Sequence, residues 1–307
     1  MKVSHFLISS MIIILFGCAS NVKQDVTDDA QTQLKTMEKQ IIEAFRNEDW
    51  SNAKSSSEGK YKKVIAENCA KHLDFLKTYA EKGNALAQNF LGDCYENGFN
   101  VPKDIAQAVL WYRKSAEQGY AFGQADLASM YHAGKGIAKD DAQAAIWYRK
   151  AADQGFDIIQ AVFAMFYQDI NDHKQAIYWL RKSAEQGSAV MQFLLGNTYE
   201  QGKGGTQDYT QAAIWYRKAA DQGLAIAQTA LGTLYGKGQG VAQDYKQAAI
   251  WYHKAAEQGL AVAQFVLGVF YEKGLGVAQD NAQAIVWYNK AAKQGDKDAQ
   301  KALQSLK

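Results

Sequence analysis

Ala248-Ala-Ile-Trp-Tyr-His-Lys-Ala-Ala-Glu-Gln-Gly259 decides the fold, because the chain repeats it. Its Trp251 is one of six equivalent tryptophans, with Trp111, Trp147, Trp179, Trp215 and Trp287, spaced by 36, 32, 36, 36 and 36 residues. A fixed period of this size marks an array of stacked supersecondary units, each contacting only its neighbours. The chemistry around the stretch bounds it as a helix. Asp104, Asp140, Asp172, Asp208, Asp244 and Asp280 precede it, each followed three residues later by Gln107, Gln143, Gln175, Gln211, Gln247 or Gln283. An aspartate at the N-cap accepts a free backbone N–H, and Gln at N3 suits a capping box. Each copy ends at a glycine, Gly119 through Gly295, the residue that tolerates a left-handed C′ position. Alanines at 108, 144, 176, 212, 248 and 284 and again at 116, 152, 184, 220, 256 and 292 allow close helix approach beside the tryptophan rings.

Outward from this helix B, each unit also carries a helix A with the pattern Gln-x-x-Leu-Gly-x-x-Tyr, as at Gln264, Leu267, Gly268 and Tyr271; Ala128 and Ala164 replace the glycine in two units. The fold class is therefore all-α, six helix–turn–helix units at 84–119, 120–155, 156–187, 188–223, 224–259 and 260–295. The third unit is four residues short and lacks the Gly-x-Gly turn, yet the period resumes, so stacking that survives with a local gap on one face is expected. Residues 34–83 read as N-terminal helices with a degenerate capping repeat. Leu34, Met37, Ile41 and Phe45 recur at helical spacing, Lys54–Gly59 is a loop by composition, and Val64–Lys82 is a helix ending at Gly83. Residues 296–307 copy the start of helix A with polar substitutions and read as a C-terminal capping helix.

The chain has 307 residues, a formal net charge of +2 with acids and bases interspersed, one proline and three cysteines. Nucleic acid is not an expected partner, since that needs a basic face. Phe6–Phe16 is an apolar run of 11 residues after Lys2, too short to span a bilayer and suited to a signal-peptide core over 1–17. Leu15-Phe16-Gly17-Cys18 resembles a bacterial lipobox. That resemblance implies cleavage before Cys18, lipidation of Cys18, and an outer-membrane anchor in the periplasm, because Ala19 and Ser20 are not the aspartate of inner-membrane retention. A soluble periplasmic or secreted product, cleaved near Ser20, is the alternative. Residues 18–33 are polar and are expected to form a flexible tether.

Gly238, Gly240, Val241, Asp244, Ala248, Trp251, Tyr252, Lys254, Ala255, Ala256, Gln258 and Gly259 resemble the Sel1-like repeat, a relative of the tetratricopeptide repeat. The resemblance covers residues 84–295 and implies a right-handed α-solenoid that binds proteins or serves as an adaptor or scaffold in envelope and secretion processes. Some lipoproteins of this kind are immunity proteins against envelope-targeting toxins, including phospholipases. The first expectation is thus an immunity or inhibitor protein for a toxin, and the second an adaptor for an envelope enzyme. No cofactor and no catalysis are expected.

Columns that vary between units on one helix face are the candidate partner site. In helix A they start at 89, 93 and 96, spaced i, i+4, i+7. In related tetratricopeptide arrays these columns line the concave groove. Here they hold Asn89, Asp93 and Glu96; Ser129 and His132 beside Ala125; Met165 and Gln168 beside Ala161; Phe193, Asn197 and Glu200; Thr229 and Thr233 beside Gly236; and Phe265, Val269 and Glu272. Phe193 and Phe265 are the expected anchors, since aromatics dominate binding hot spots.

Other chemistry lacks its context. Ser51-Asn-Ala-Lys54 spells the Ser-x-x-Lys of penicillin-recognising enzymes without its companion motifs, which leaves a weak hydrolase as the enzyme alternative. Gly-x-Gly turns such as Gly202–Gly204 lack the ending of a phosphate loop. His72, His132, His173 and His253 lack metal-ligand spacing and read as surface residues, and no carboxylate pair stands out. Cys69 and Cys94 lie on consecutive helices, with the mirror position of Cys94 near residue 73, so a bridge and two separate buried thiols are both open.

Overall fold

The computed structural model describes residues 28–46, 60–203 and 205–306. Among these it is 77% helical, with 15 helices and no strand. The signal segment, Cys18, the tether up to residue 27, the 54–59 loop, Ser51, Lys54 and Gly204 lie outside the described residues. The two leading helices are α1 (Asp28–Arg46) and α2 (Lys60–Glu81). Six pairs follow, helix A then helix B: α3 (Ala85–Asn97) and α4 (Ile105–Glu117), α5 (Ala121–Ala133) and α6 (Asp141–Ala152), α7 (Asp157–Asp169) and α8 (His173–Glu185). The remaining pairs are α9 (Ala189–Gln201) and α10 (Tyr209–Asp221), α11 (Ala225–Lys237) and α12 (Tyr245–Glu257), α13 (Ala261–Lys273) and α14 (Asn281–Lys293). The closing helix is α15 (Lys297–Ser305), whose Ala299 packs against Ala284, Tyr288 and Ala291. The fold is an α-solenoid.

Local chemistry sets the helix ends. The carboxylates of Asp104, Asp208, Asp244 and Asp280 each accept from the backbone N–H of the glutamine three residues on, and Asp140 accepts from both Ala142 and Gln143. Helix-A glycines serve a different purpose. A Cβ on Gly92 would stand 2.5 Å from the Tyr112 ring, and one on Gly268 2.6 Å from the Tyr288 ring, so the missing side chain is what lets the helix-B tyrosine lie against helix A.

The repeated glutamines close the core's polar accounts. Gln264 donates to the carbonyl of Ala256 at 3.0 Å and accepts from Gln294 at 2.8 Å; Gln228 does the same with Ala220 and Gln258. Buried amides satisfied in this way cost little and fix the register between units. The first helix-B alanines are fully buried, and Trp179, Trp215, Trp251 and Trp287 are buried beside them. Each repeat lysine lies across its own tryptophan, from 3.8 Å at Lys290 over Trp287 to 5.0 Å at Lys182 over Trp179. The stem shields the ring while the ammonium stays wet.

Two expectations need correction. Helix α1 begins at Asp28, so the stretch 28–33 is helical rather than tether; Ala30, Leu34 and Met37 form one buried row, and Asp28 and Asp29 suit the positive helix start. Helix α2 starts at Lys60, four residues before Val64, and leaves helical geometry at His72. The chain divides into two compact units, one ending at Asp172 and one starting at His173. The division falls at the shortened third repeat, where residues 170–172 replace a connection that spans 238–244 in the fifth.

Cys69 and Cys94 form a disulfide, with Cα atoms 5.9 Å apart and both residues fully buried. It fastens α2 to α3, the helix A of the first repeat.

Candidate functional site

The helix-A columns sit differently in the two units. In the N-terminal unit Asn89, Asp93, Ser129 and His132 are buried, against the expectation of a solvent-facing stripe. The reason lies in the next helix A. Asn89 Nδ2 donates to Asp126 at 2.6 Å, so α3 and α5 meet across this face. The Tyr112 hydroxyl donates to Asp93 at 2.8 Å and to Glu96 at 3.0 Å, and Lys135 stands 3.7 Å from Glu96. Burial drives the carboxyls of Asp93 and Asp126 well above the usual range; the charge of Glu96 pushes Asp93 further, and those of Asp93 and Glu96 push Asp126 further. Burial also raises Glu96, partly offset by Lys135. The three carboxyls thus retain protons at pH values where exposed acids have lost them.

His132 is no surface residue. Its Nε2 lies 3.7 Å from Asp169 and its Nδ1 2.6 Å from Asp141. The Asp169 carboxylate 3.7 Å away raises its pKa, burial lowers it, and Asp141 raises it again, for a net upward shift. Met165 and Gln168, on α7, are half-buried in the same unit.

The buried acids were invisible as a group because Asp126 stands outside the chosen columns. The signal was nevertheless present. Column 90 reads Phe90, Asp126, Val162, Leu194, Ala230 and Val266, one acid in an otherwise apolar row. No set of three or more His, Cys, Asp or Glu among the described residues is disposed to hold a metal.

In the C-terminal unit the same columns are half-buried: Phe193, Asn197, Glu200, Thr229, Thr233, Phe265, Val269 and Glu272. Each helix-B tyrosine finds its acceptor there. Tyr216 donates to Glu200 and Tyr288 to Glu272, both at 2.5 Å. Where Gly236 occupies the acid's position, the Tyr252 hydroxyl bonds Thr233 instead, at 2.9 Å. Burial first and the glutamate second push the phenol of Tyr216 upward, so it stays a neutral donor. Phe193 stacks on Tyr216 with ring centres 5.5 Å apart, and Phe265 tilts against Tyr288 at 5.7 Å. The constant tyrosine packs against each of the two phenylalanines, and both stay half-buried.

The Sel1 repeat family model matches residues 85–120, 121–156, 167–188, 189–224, 225–260 and 261–296. The chain belongs to the Sel1 repeat family. Sel1 repeats are protein-interaction scaffolds. Among solved structures, a protective antigen of uropathogenic Escherichia coli strains with an SLR fold is 40% identical, with 75% of this chain covered and a TM-score of 0.64. The match spans only 50% of that protein, so this chain covers half of it. A Sel1 repeat protein from Oxalobacter formigenes is 31% identical over 74% of this chain and 96% of its own, with a TM-score of 0.50. No curated protein matches the chain. The shortened match at 167–188 coincides with the missing turn of the third repeat. Among the described residues no helix is long and apolar enough to cross a membrane.

Proposed function

We propose that this Sel1 repeat chain is a lipid-anchored periplasmic protein that binds one partner protein along the helix-A face of its C-terminal unit. The observation that carries the reading is the row of half-buried, unit-specific side chains around Phe193 and Phe265, mounted on a constant frame of tyrosines. A binding face needs rigid aromatic anchors amid adaptable polar groups, and this row supplies both. The Cys69–Cys94 bridge supports an exported location, since such bridges persist in oxidising compartments. Cys18 is the lipidation site in this proposal, with the outer membrane as its destination. The mechanism is occlusion of the partner by surface contact.

The partner in the first version is an envelope-targeting toxin, which makes the chain its immunity protein. The experiment is site-specific photocrosslinking in cells from positions 193, 197, 265 and 269, with a crosslinker at exposed Asp221 as control. The expected result is one crosslinked protein, captured from all four positions and not from 221, forming a one-to-one complex that Phe193→Ala with Phe265→Ala weakens while helical content persists. Several weakly held partners would support an adaptor instead. Unchanged affinity of the double variant would sink the proposed face. Loss of palmitate labelling in Cys18→Ser tests the anchor separately.

A further inference from the structure

The residue before each repeat tryptophan is large and apolar in every unit, and it is exposed. Leu110, Ile146, Tyr178, Ile214, Ile250 and Val286 each keep between 44% and 51% of their surface open to solvent. The helix-B lysine that follows four residues later lies on the same helix face. The constant helix B therefore does more than pack.

The feature deepens into a groove in the C-terminal unit. Between α12 and α13 a depression of about 510 Å³ is lined by Ala249, Ile250, Leu267 and Val277. Leu267 and Ala249 are buried, so the floor is recessed, while Ile250 forms an exposed lip. The basic side chains on its rim are Lys246, His253 and Lys254, and among the described residues no acid lines it. Glu257 approaches only His253, at 3.7 Å on the exposed surface, and Lys254 rests on Trp251 at 4.2 Å.

We propose that this groove is a second docking site, taking an aliphatic side chain from an acidic helical segment of a partner protein. The apolar floor supplies burial for the aliphatic anchor, and the basic rim supplies charge complementarity for flanking carboxylates. A flat lipid surface would meet Ile250 but would not reach the floor at Leu267. The proposal rests on the chain being a protein-interaction scaffold. It uses the helix-B side and so stands apart from Phe193 and Phe265.

The test uses the purified full-length chain and two fluorescent designed helical peptides, each with leucines at i, i+3, i+4 and i+7. One carries glutamate at the remaining positions and the other lysine. The expected result is saturable binding of the glutamate peptide alone, weakened by salt. Ile250→Asp, or Lys246→Glu with Lys254→Glu, should reduce that affinity about tenfold or more, as loss of one buried aliphatic contact implies. Circular dichroism should not change, because the substituted side chains are at the surface. Phe193→Ala with Phe265→Ala should leave peptide binding intact, which separates this site from the helix-A face. No saturable binding, equal binding by Ile250→Asp, or binding to phosphatidylglycerol vesicles that the peptide does not displace would overturn it. So would a wild-type self-association that Ile250→Asp abolishes, since the groove would then serve a second copy.

Discussion

Removing the Cys69–Cys94 bridge perturbs one defined junction. The bridge ties α2 to α3 across a sequence separation of 25 residues. In the chain-entropy account, closing a loop of this length in the unfolded ensemble contributes about 3.5 kcal/mol to stability at room temperature. That is a large share of the roughly 5–15 kcal/mol that holds a typical domain. Cys69→Ala with Cys94→Ala adds a smaller packing loss, since both residues are fully buried. With a urea dependence of roughly 1–3 kcal/mol/M, the midpoint of the N-terminal unit should fall by about 1–4 M. Hydrogen exchange read by mass spectrometry should localise the change, with faster exchange in α2 and α3 and none in α10 to α14. Alkylation under denaturing conditions should label two more cysteines after reduction than before. Two reactive thiols without reduction, or a double variant with the wild-type midpoint, would refute the reasoning.

The buried acids give the N-terminal unit a pH dependence whose sign follows from the direction of their shifts. Asp93, Asp126, Glu96 and Glu38, all raised chiefly by burial, and His132, raised first by the nearby Asp169 carboxylate, bind protons more tightly when folded. Their stabilisation is complete below the unfolded pKa values, about 4 for the acids and 6.5 for histidine, and is lost as pH rises through the folded values. Asp141 opposes this: slight burial is outweighed by His132 and Lys139, and its stabilisation is lost as pH falls. Urea midpoints of the N-terminal unit should therefore be higher near about pH 5 than near about pH 8, and Asp93→Asn should narrow the gap by raising the value at the higher pH. A wild-type unit more stable at the higher pH would contradict the assignment. Two glycines that share a positive φ should respond unequally to alanine. Gly259→Ala meets nothing within 4 Å and should cost about 1–2 kcal/mol for its left-handed conformation. Gly240→Ala places its Cβ 2.1 Å from the Tyr209 carbonyl oxygen at the start of α10, so it should cost distinctly more in thermal melts, and equal costs would show that this close approach adds nothing to stability.

What could be read from the residues alone was whatever local chemistry decides. An aspartate that caps its own helix and a glycine that ends it act within a few residues, so the helix boundaries were legible. Burial of the candidate site was not, because a neighbouring unit decides it. Asn89 and Thr229 occupy the same column, yet Asn89 is buried by its bond to Asp126 while Thr229 stays half-open. The acceptor of each tyrosine also depends on the partner helix, as the switch from Glu200 to Thr233 shows. Sameness across units was the more misleading guide. It suggested that every constant position in helix B is scaffold, which holds for Trp251 and Ala255. Ile250 differs from Trp251 by one step of roughly 100° around the helix, enough to turn it from the core to solvent. Repetition therefore sorts residues by their place in the unit and leaves their exposure to geometry. Folding buries only about half of each side chain in this column, and the apolar surface that remains is what contact with a partner would bury.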